Sequence, residues 1–145
     1  MKVAAVQLTS TGNIPENQEL ALAKIREAAG NGARLIVLPE ATAQNFRSGR
    51  LDEQAQTLEG PFATAIQTLA EELEVTVVAG MFCPADTVER EGKTINRVTN
   101  TALIAGPGVL GGYDKIHTYD AFDYRESDTV LAGESLVAFD VDDLI

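Results

Sequence analysis

A chain of 145 residues, 45% apolar and 23% charged, is long enough to bury one core and has the balance of a single globular domain. Its 11 basic residues against 22 acidic ones give a formal charge of -11, which argues against nucleic acid or an anionic membrane surface as the main partner. A single cysteine, Cys83, excludes an intrachain disulfide, and a single histidine, His117, excludes the usual zinc ligand sets, although a site built purely from carboxylates stays open.

Val3 to Leu8 is apolar except for Gln7 and reads as a first buried strand, too short for a signal-peptide core. No stretch approaches membrane-spanning length, so the expected compartment is the cytoplasm. Ser10 to Pro15 is a turn-rich connector. Asn13 is placed to cap the next helix with Glu16 as capping-box partner, and Leu20, Ala21, Ile25 and Ala28 keep helical spacing until Asn31-Gly32 supplies the stop. Leu35 to Leu38 is four consecutive aliphatic residues, the pattern of a central parallel strand covered on both faces. Pro39 stops it and leaves Glu40 just beyond its carboxyl end, the edge of an open α/β sheet where ligands bind. A carboxylate delivered there by rigid scaffold is placed as a general base would be.

Thr42 to Glu59 is polar and irregular. Gly60-Pro61 then starts a second helix, expected to run to about Glu74 with Phe62, Ile66, Leu69, Ala70 and Leu73 as its apolar stripe. Val75 to Phe82 is a third strand, Asp86 to Gly92 a charged hairpin tip, and Thr94 to Ala105 a long strand. Gly106-Pro107-Gly108 turns the chain back through Val109 to Tyr113 as an antiparallel edge. From Asp114 onward Lys115, His117, Tyr119, Asp120, Arg125, Glu126 and Asp128 crowd together with few aliphatics, as in a loop that carries function. Leu136 to Val141 reads as a closing strand.

The runs V-A-A-V-Q-L, L-I-V-L-P-E, N-T-A-L-I-A-G-P-G-V-L, Y-D-K-I-H and R-E-S-D-T-V-L-A-G, in this order, resemble the amino-terminal half of the nitrilase superfamily, the carbon-nitrogen hydrolases. The resemblance implies an α/β fold, half of a four-layer α-β-β-α sandwich, with a mixed sheet and helices on one face. It implies a Glu-Lys-Cys catalytic set in which Glu40 is the general base, Lys115 stabilises the tetrahedral oxyanion and Glu126 positions lysine and substrate. It gives His117 a structural, hydrogen-bonding role. Tyr113 and Tyr119 read as packing residues, with Tyr119 or Phe122 lining the substrate pocket as the alternative. The family's nucleophile lies in a cysteine elbow beyond the Glu126 region, which residues 1–145 do not reach, and Cys83 in M-F-C-P matches no catalytic position.

The expected activity is therefore that of an amidase acting on a small amide through a cysteine thioester, in an omega-amidase-like or general aliphatic style, with no cofactor and no metal, and in a homo-oligomer. With its nucleophile absent, this chain alone is expected to be inactive. Two alternatives are a non-catalytic half-domain or pseudo-enzyme interaction module, and a metal-dependent phosphodiesterase of the DNase-like fold. A half sandwich also leaves one sheet face, carrying residues such as Val6, Leu38 and Val78 or their neighbours, without its covering layer.

Overall fold

The computed structural model describes residues 1–122 and 124–141. Its elements are β1 (Val3–Ala5), α1 (Ile14–Gly30), β2 (Leu35–Val37), α2 (Pro61–Glu72), β3 (Thr76–Arg90), β4 (Lys93–Gly106), β5 (Val109–Asp114) and a miniature hairpin of β6 (Asp120–Ala121) and β7 (Tyr124–Arg125). One-turn 3-10 helices cover Leu51–Glu53 and Glu126–Asp128. The first five strands form one sheet in chain order, parallel from β1 to β3 and antiparallel from β3 to β5.

Local chemistry sets the helix ends. The Glu16 backbone N–H donates to Asn13 Oδ1 at 3.2 Å, as an N-cap requires, but the reciprocal half of the expected capping box is missing. The Asn13 N–H instead donates to Thr11 Oγ1 at 3.1 Å. At the other end the Asn31 N–H reaches the Glu27 carbonyl and Gly32 takes a φ of 84°, the left-handed turn that a glycine enters without strain. α2 starts on Pro61, whose missing N–H costs nothing in a first turn.

Both helices lie on one face of the sheet. Ala21 and Ile25 of α1, Phe62 and Ile66 of α2, and Ile36, Val77 and Leu103 of the strands form one buried core. Each large side chain there contributes about 1.5–3 kcal/mol relative to exposure. The second face has no such layer. Val3 is 52% exposed and Val37 36%, so β2 is covered on one side only and not on both. Of the residues named for the open face Val78 lies on it, whereas Val6 and Leu38 pack into the core and their neighbours Ala5 and Val37 take the open face. With a side-chain period of two, one position is enough to exchange faces.

Two further expectations change. β3 continues past Phe82 to Arg90, through a register shift between Pro84 and Thr87 where the proline has no N–H for the ladder. The hairpin tip is then only Glu91-Gly92, both with positive φ (50° and 73°), a pair whose twist suits a two-residue turn. The closing strand at Leu136 to Val141 does not form, because no sheet edge pairs with residues 131–140. That segment is held by the Gly133 N–H on the Lys115 carbonyl (2.9 Å) and by Phe139, whose ring occupies the space above Gly111.

Gly80 of β3 determines how closely the chain after β2 can approach. A Cβ there would lie 2.4 Å from the Ala41 nitrogen and 2.8 Å from Glu40 Cα, so only glycine lets the Glu40 turn settle on the sheet. Gly80→Ala is expected to destabilise the fold by about 1–3 kcal/mol, read as a lower urea midpoint, because the obstacle is backbone and cannot swing away. Gly30→Ala, with nothing within 4 Å of the added carbon, should be neutral or stabilise by up to about 1 kcal/mol. Equal midpoint shifts for both would refute the close-approach argument.

Candidate active site

Glu40 follows Pro39, which ends the β2 pairing after the Leu38 N–H bonds the Val78 carbonyl at 2.8 Å. The turn beyond it is strapped down. The Gly80 N–H donates to the Pro39 carbonyl (3.2 Å), Thr42 Oγ1 to the same carbonyl (2.6 Å), Ser10 Oγ to the Ala41 carbonyl (2.9 Å), and buried Asn17 Nδ2 to the Ala43 carbonyl (2.8 Å). Lys115 stands one residue beyond β5. Its N–H continues the β4 ladder on the Asn100 carbonyl at 2.9 Å, and its carbonyl accepts from Gly133. Glu126 follows the small β6–β7 hairpin, its N–H on the Tyr119 carbonyl at 3.0 Å.

These three residues, far apart in the chain, meet. Lys115 Nζ lies 3.1 Å from Glu40 Oε1, and 3.0 and 3.3 Å from the two oxygens of Glu126. Sequence reasoning missed a fourth member. Asn100 of β4, buried opposite Phe82, donates from one Nδ2 to Glu40 Oε1 at 2.7 Å and to Glu126 Oε1 at 3.2 Å. In the sequence it is one of several polar residues of β4, set apart only by its burial, and a buried amide needs a polar partner.

The two carboxylates differ in environment. The Glu126 side chain is 2% exposed and that of Glu40 is 53%. Burial alone would push the Glu126 carboxyl up, but the Tyr119 N–H at 2.7 Å, Lys115 and Asn100 together hold it below its ordinary value. Burial likewise draws Lys115 down, and the hydrogen bonds it donates to Glu126 and Glu40 outweigh that, so its ammonium persists above the usual lysine range. Glu126 and Lys115 are thus both charged near neutrality. Glu40 Oε2 makes no hydrogen bond among the described residues, which leaves it available to accept a proton.

Glu40 and Lys115 are shared by two clefts. One, about 420 Å³, is also lined by Phe46, Arg47, Tyr119 and Tyr124. The other, about 310 Å³, opens on the uncovered sheet face beside Val78, Gly80, Ala102 and Tyr113. Tyr119, read from the sequence as a packing residue with the pocket as its alternative, lines the larger cleft, whereas Phe122 is 91% exposed. His117 is exposed and makes no hydrogen bond among the described residues, contrary to the structural role expected of it. Cys83 packs against the main core and lines neither cleft, and burial pushes its thiol up, away from the reactive thiolate. Among the described residues no group of three or more His, Cys, Asp and Glu side chains is arranged to hold a metal ion.

The depressed Glu126 value has a sign that can be measured. A carboxyl whose folded pKa lies below its unfolded value of about 4.3 adds stability that is complete above that pH and is lost as pH falls through the folded value. Wild-type stability should therefore fall more steeply than that of Glu126→Gln between about pH 5 and pH 3. Parallel acid limbs in urea denaturation would show that Glu126 gains nothing from its partners.

A family model for carbon-nitrogen hydrolase matches residues 2–144. A hydrolase of Mycobacterium tuberculosis is 40% identical over 147 residues, covering 98% of this chain and 49% of its own. The deaminated glutathione amidase of Synechocystis sp. is 36% identical over 137 residues, covering 90% of this chain and 49% of its own. Among solved structures, a CN-hydrolase superfamily protein from Xanthomonas campestris superposes with a TM-score of 0.78 at 24% identity, over 97% of this chain and 49% of that one. An amidase from Nesterenkonia sp. gives 0.71 at 19% identity, over 93% and 49%. The chain spans about half the length of the curated relatives it matches. With the family model matched over 2–144 and the same half-fold recurring in solved members, the chain belongs to the carbon-nitrogen hydrolases of the nitrilase superfamily.

Proposed function

We propose that this chain supplies the charged part of an amidase site that hydrolyses a small amide with a cysteine nucleophile carried outside residues 1–145. The observation that carries this reading is Lys115 held between a buried and an exposed carboxylate. Glu40, through its unpartnered Oε2, takes the thiol proton as sulfur bonds to the amide carbon, and the developing oxyanion is met by a Lys115 N–H. Glu126 stays ionised and fixes the ammonium. When the tetrahedral intermediate collapses, the C–N bond breaks and Glu40 returns its proton to the departing amine. A water, deprotonated by Glu40, then attacks the thioester carbon. The carboxylic acid leaves and the thiol is restored, so atoms balance without a cofactor. The resemblance to an amidase relative supports an amide as substrate.

In the enzyme that joins this sequence to its nucleophile, Glu40→Gln and Lys115→Ala are each expected to lower ammonia release by about a hundredfold or more with folding retained. Cys83→Ser should leave the rate almost unchanged. Near wild-type turnover in Glu40→Gln or Lys115→Ala, or loss of the acyl-enzyme mass in Cys83→Ser, would reassign the roles.

We further propose that the protein works as a homo-oligomer, since Val3, Val37 and Val78 leave an apolar sheet face uncovered that a soluble protein rarely leaves bare. By sedimentation velocity the chain should run heavier than its 15.5 kDa monomer. A monomer that persists as concentration rises would remove the support for this step.

A further inference from the structure

Lys115 Nζ reaches three carboxylate oxygens, and each of the three has a second donor. Glu40 Oε1 is 3.1 Å from Lys115 and 2.7 Å from Asn100 Nδ2. Glu126 Oε1 is 3.3 Å from Lys115 and 3.2 Å from the same Nδ2. Glu126 Oε2 is 3.0 Å from Lys115 and 2.7 Å from the Tyr119 backbone nitrogen. Asn100 thus backs up the lysine at one oxygen of each glutamate. Its own carbonyl accepts the Lys115 backbone N–H at 2.9 Å, which holds the amide and the lysine in one register. The residue is 4% exposed and sits inside β4, so its side chain has nowhere else to turn.

We infer that Asn100 is a positioning residue for the hydrolysis, holding Glu40 and Glu126 in place while Lys115 turns one N–H from a carboxylate to the oxyanion. The inference rests on the amidase reading and adds a working part to it. An ammonium has three N–H groups, and the tetrahedral intermediate brings a further acceptor. The contact best suited to give way is that to Glu126 Oε1, the longest of the three at 3.3 Å, and Asn100 already covers that oxygen. Without the amide, the same movement would leave one oxygen of a buried carboxylate bare. That cost falls on the transition state and not on the bound substrate.

A second consequence concerns protons. Two carboxylates that face one ammonium tend to share a proton unless donors favour their ionised forms, and Nδ2 can only donate. Beyond Lys115 and the two glutamates, the ionisable side chains lining the two clefts are Arg47, Tyr113, Tyr119 and Tyr124, none of them a carboxyl. Asp114 is turned to Thr101 Oγ1, Asp120 to Ser127 Oγ and Asp128 to Arg90, and His117 makes no hydrogen bond to either glutamate. An acid limb in the rate therefore reports the Glu40 and Glu126 pair.

The test uses the enzyme that joins this sequence to its nucleophile, with ammonia release from propionamide followed from about pH 5 to about pH 9. Asn100→Leu keeps roughly the volume and removes the donor. Its kcat should fall about tenfold or more with KM nearly unchanged, and the acid limb of kcat/KM should move up by about one pH unit. Asn100→Ser, with a hydroxyl and room for a water, should recover part of both. A kcat within about twofold of the parent, or a loss that is equal at every pH or lies in KM, overturns the inference, since a residue that only packs would behave so. If neither variant folds by circular dichroism, the parent decides. When propanal adds to its nucleophile as a hemithioacetal, the Asn100 side-chain N–H signals should move downfield as Lys115 turns away, and unchanged signals overturn the inference. Failure of the amidase reading shows itself differently, as a parent enzyme that releases no ammonia from any small amide, and the inference falls with it.

Discussion

A lysine ammonium wedged between two carboxylates is the constraint the rest of this molecule serves. Taking Glu126 out of water costs several kcal/mol unless its charge is matched and its lone pairs are filled. Three donors do this: the Tyr119 N–H, Lys115 Nζ and Asn100 Nδ2. They come from the hairpin that precedes Glu126, from the end of β5 and from the middle of β4. Satisfying one buried charge therefore ties three separate pieces of chain into a single register. A pair of this kind is weak evidence for stability and better evidence for geometry, because any displacement leaves a buried ion partly unmatched.

The scaffold accepts local cost to complete the set. Ala41 takes a φ of 58°, a left-handed conformation worth about 1–3 kcal/mol of strain in a residue with a Cβ. Gly80 removes the side chain that would collide with that turn. The hydrogen bonds from Ser10, Thr42 and Asn17 hold it from three sides. A small second core of Ala41, Leu51, Phe82, Val98 and Val130 lies under the same region and joins the turn after Glu40 to the segment after Glu126. Packing and hydrogen bonding thus fix the same few residues twice.

What could be read in the sequence was what depends on near neighbours. Aliphatic runs bounded by glycine or proline located the strands, Asn13 and Pro61 located the helix starts, and Pro39 placed Glu40 at the strand end. The family motifs singled out Lys115 and Glu126 before any geometry was known. Asn100 escaped because its importance lies in two carboxylates contributed by distant elements, which no local pattern encodes. The continuation of β3 to Arg90 escaped because its outer half is polar and exposed, so its pairing with β4 and not burial makes it a strand. Leu136 to Val141 failed the other way: strand-forming composition is idle where no edge offers partners. The reversed faces of Val6 and Leu38 show how little periodicity says about which side of a sheet the helices will choose.

The division of labour proposed for the two glutamates rests on the same geometry. A group that must take up and release protons needs an oxygen that water or substrate can reach and a partner count that leaves room for a proton. Glu40 meets both needs, with its side chain 53% exposed and Oε2 uncommitted. Glu126 meets neither, since it is 2% exposed and both oxygens already accept hydrogen bonds. Protonating it would also strip Lys115 of its closest counter-charge and set the buried donors around it against an acid. The chemistry proposed for this site therefore cannot exchange the two roles. In that proposal a nucleophile working with Glu40 enters from the clefts that Glu40 lines, and Cys83, partly buried against the main core, lines neither of them.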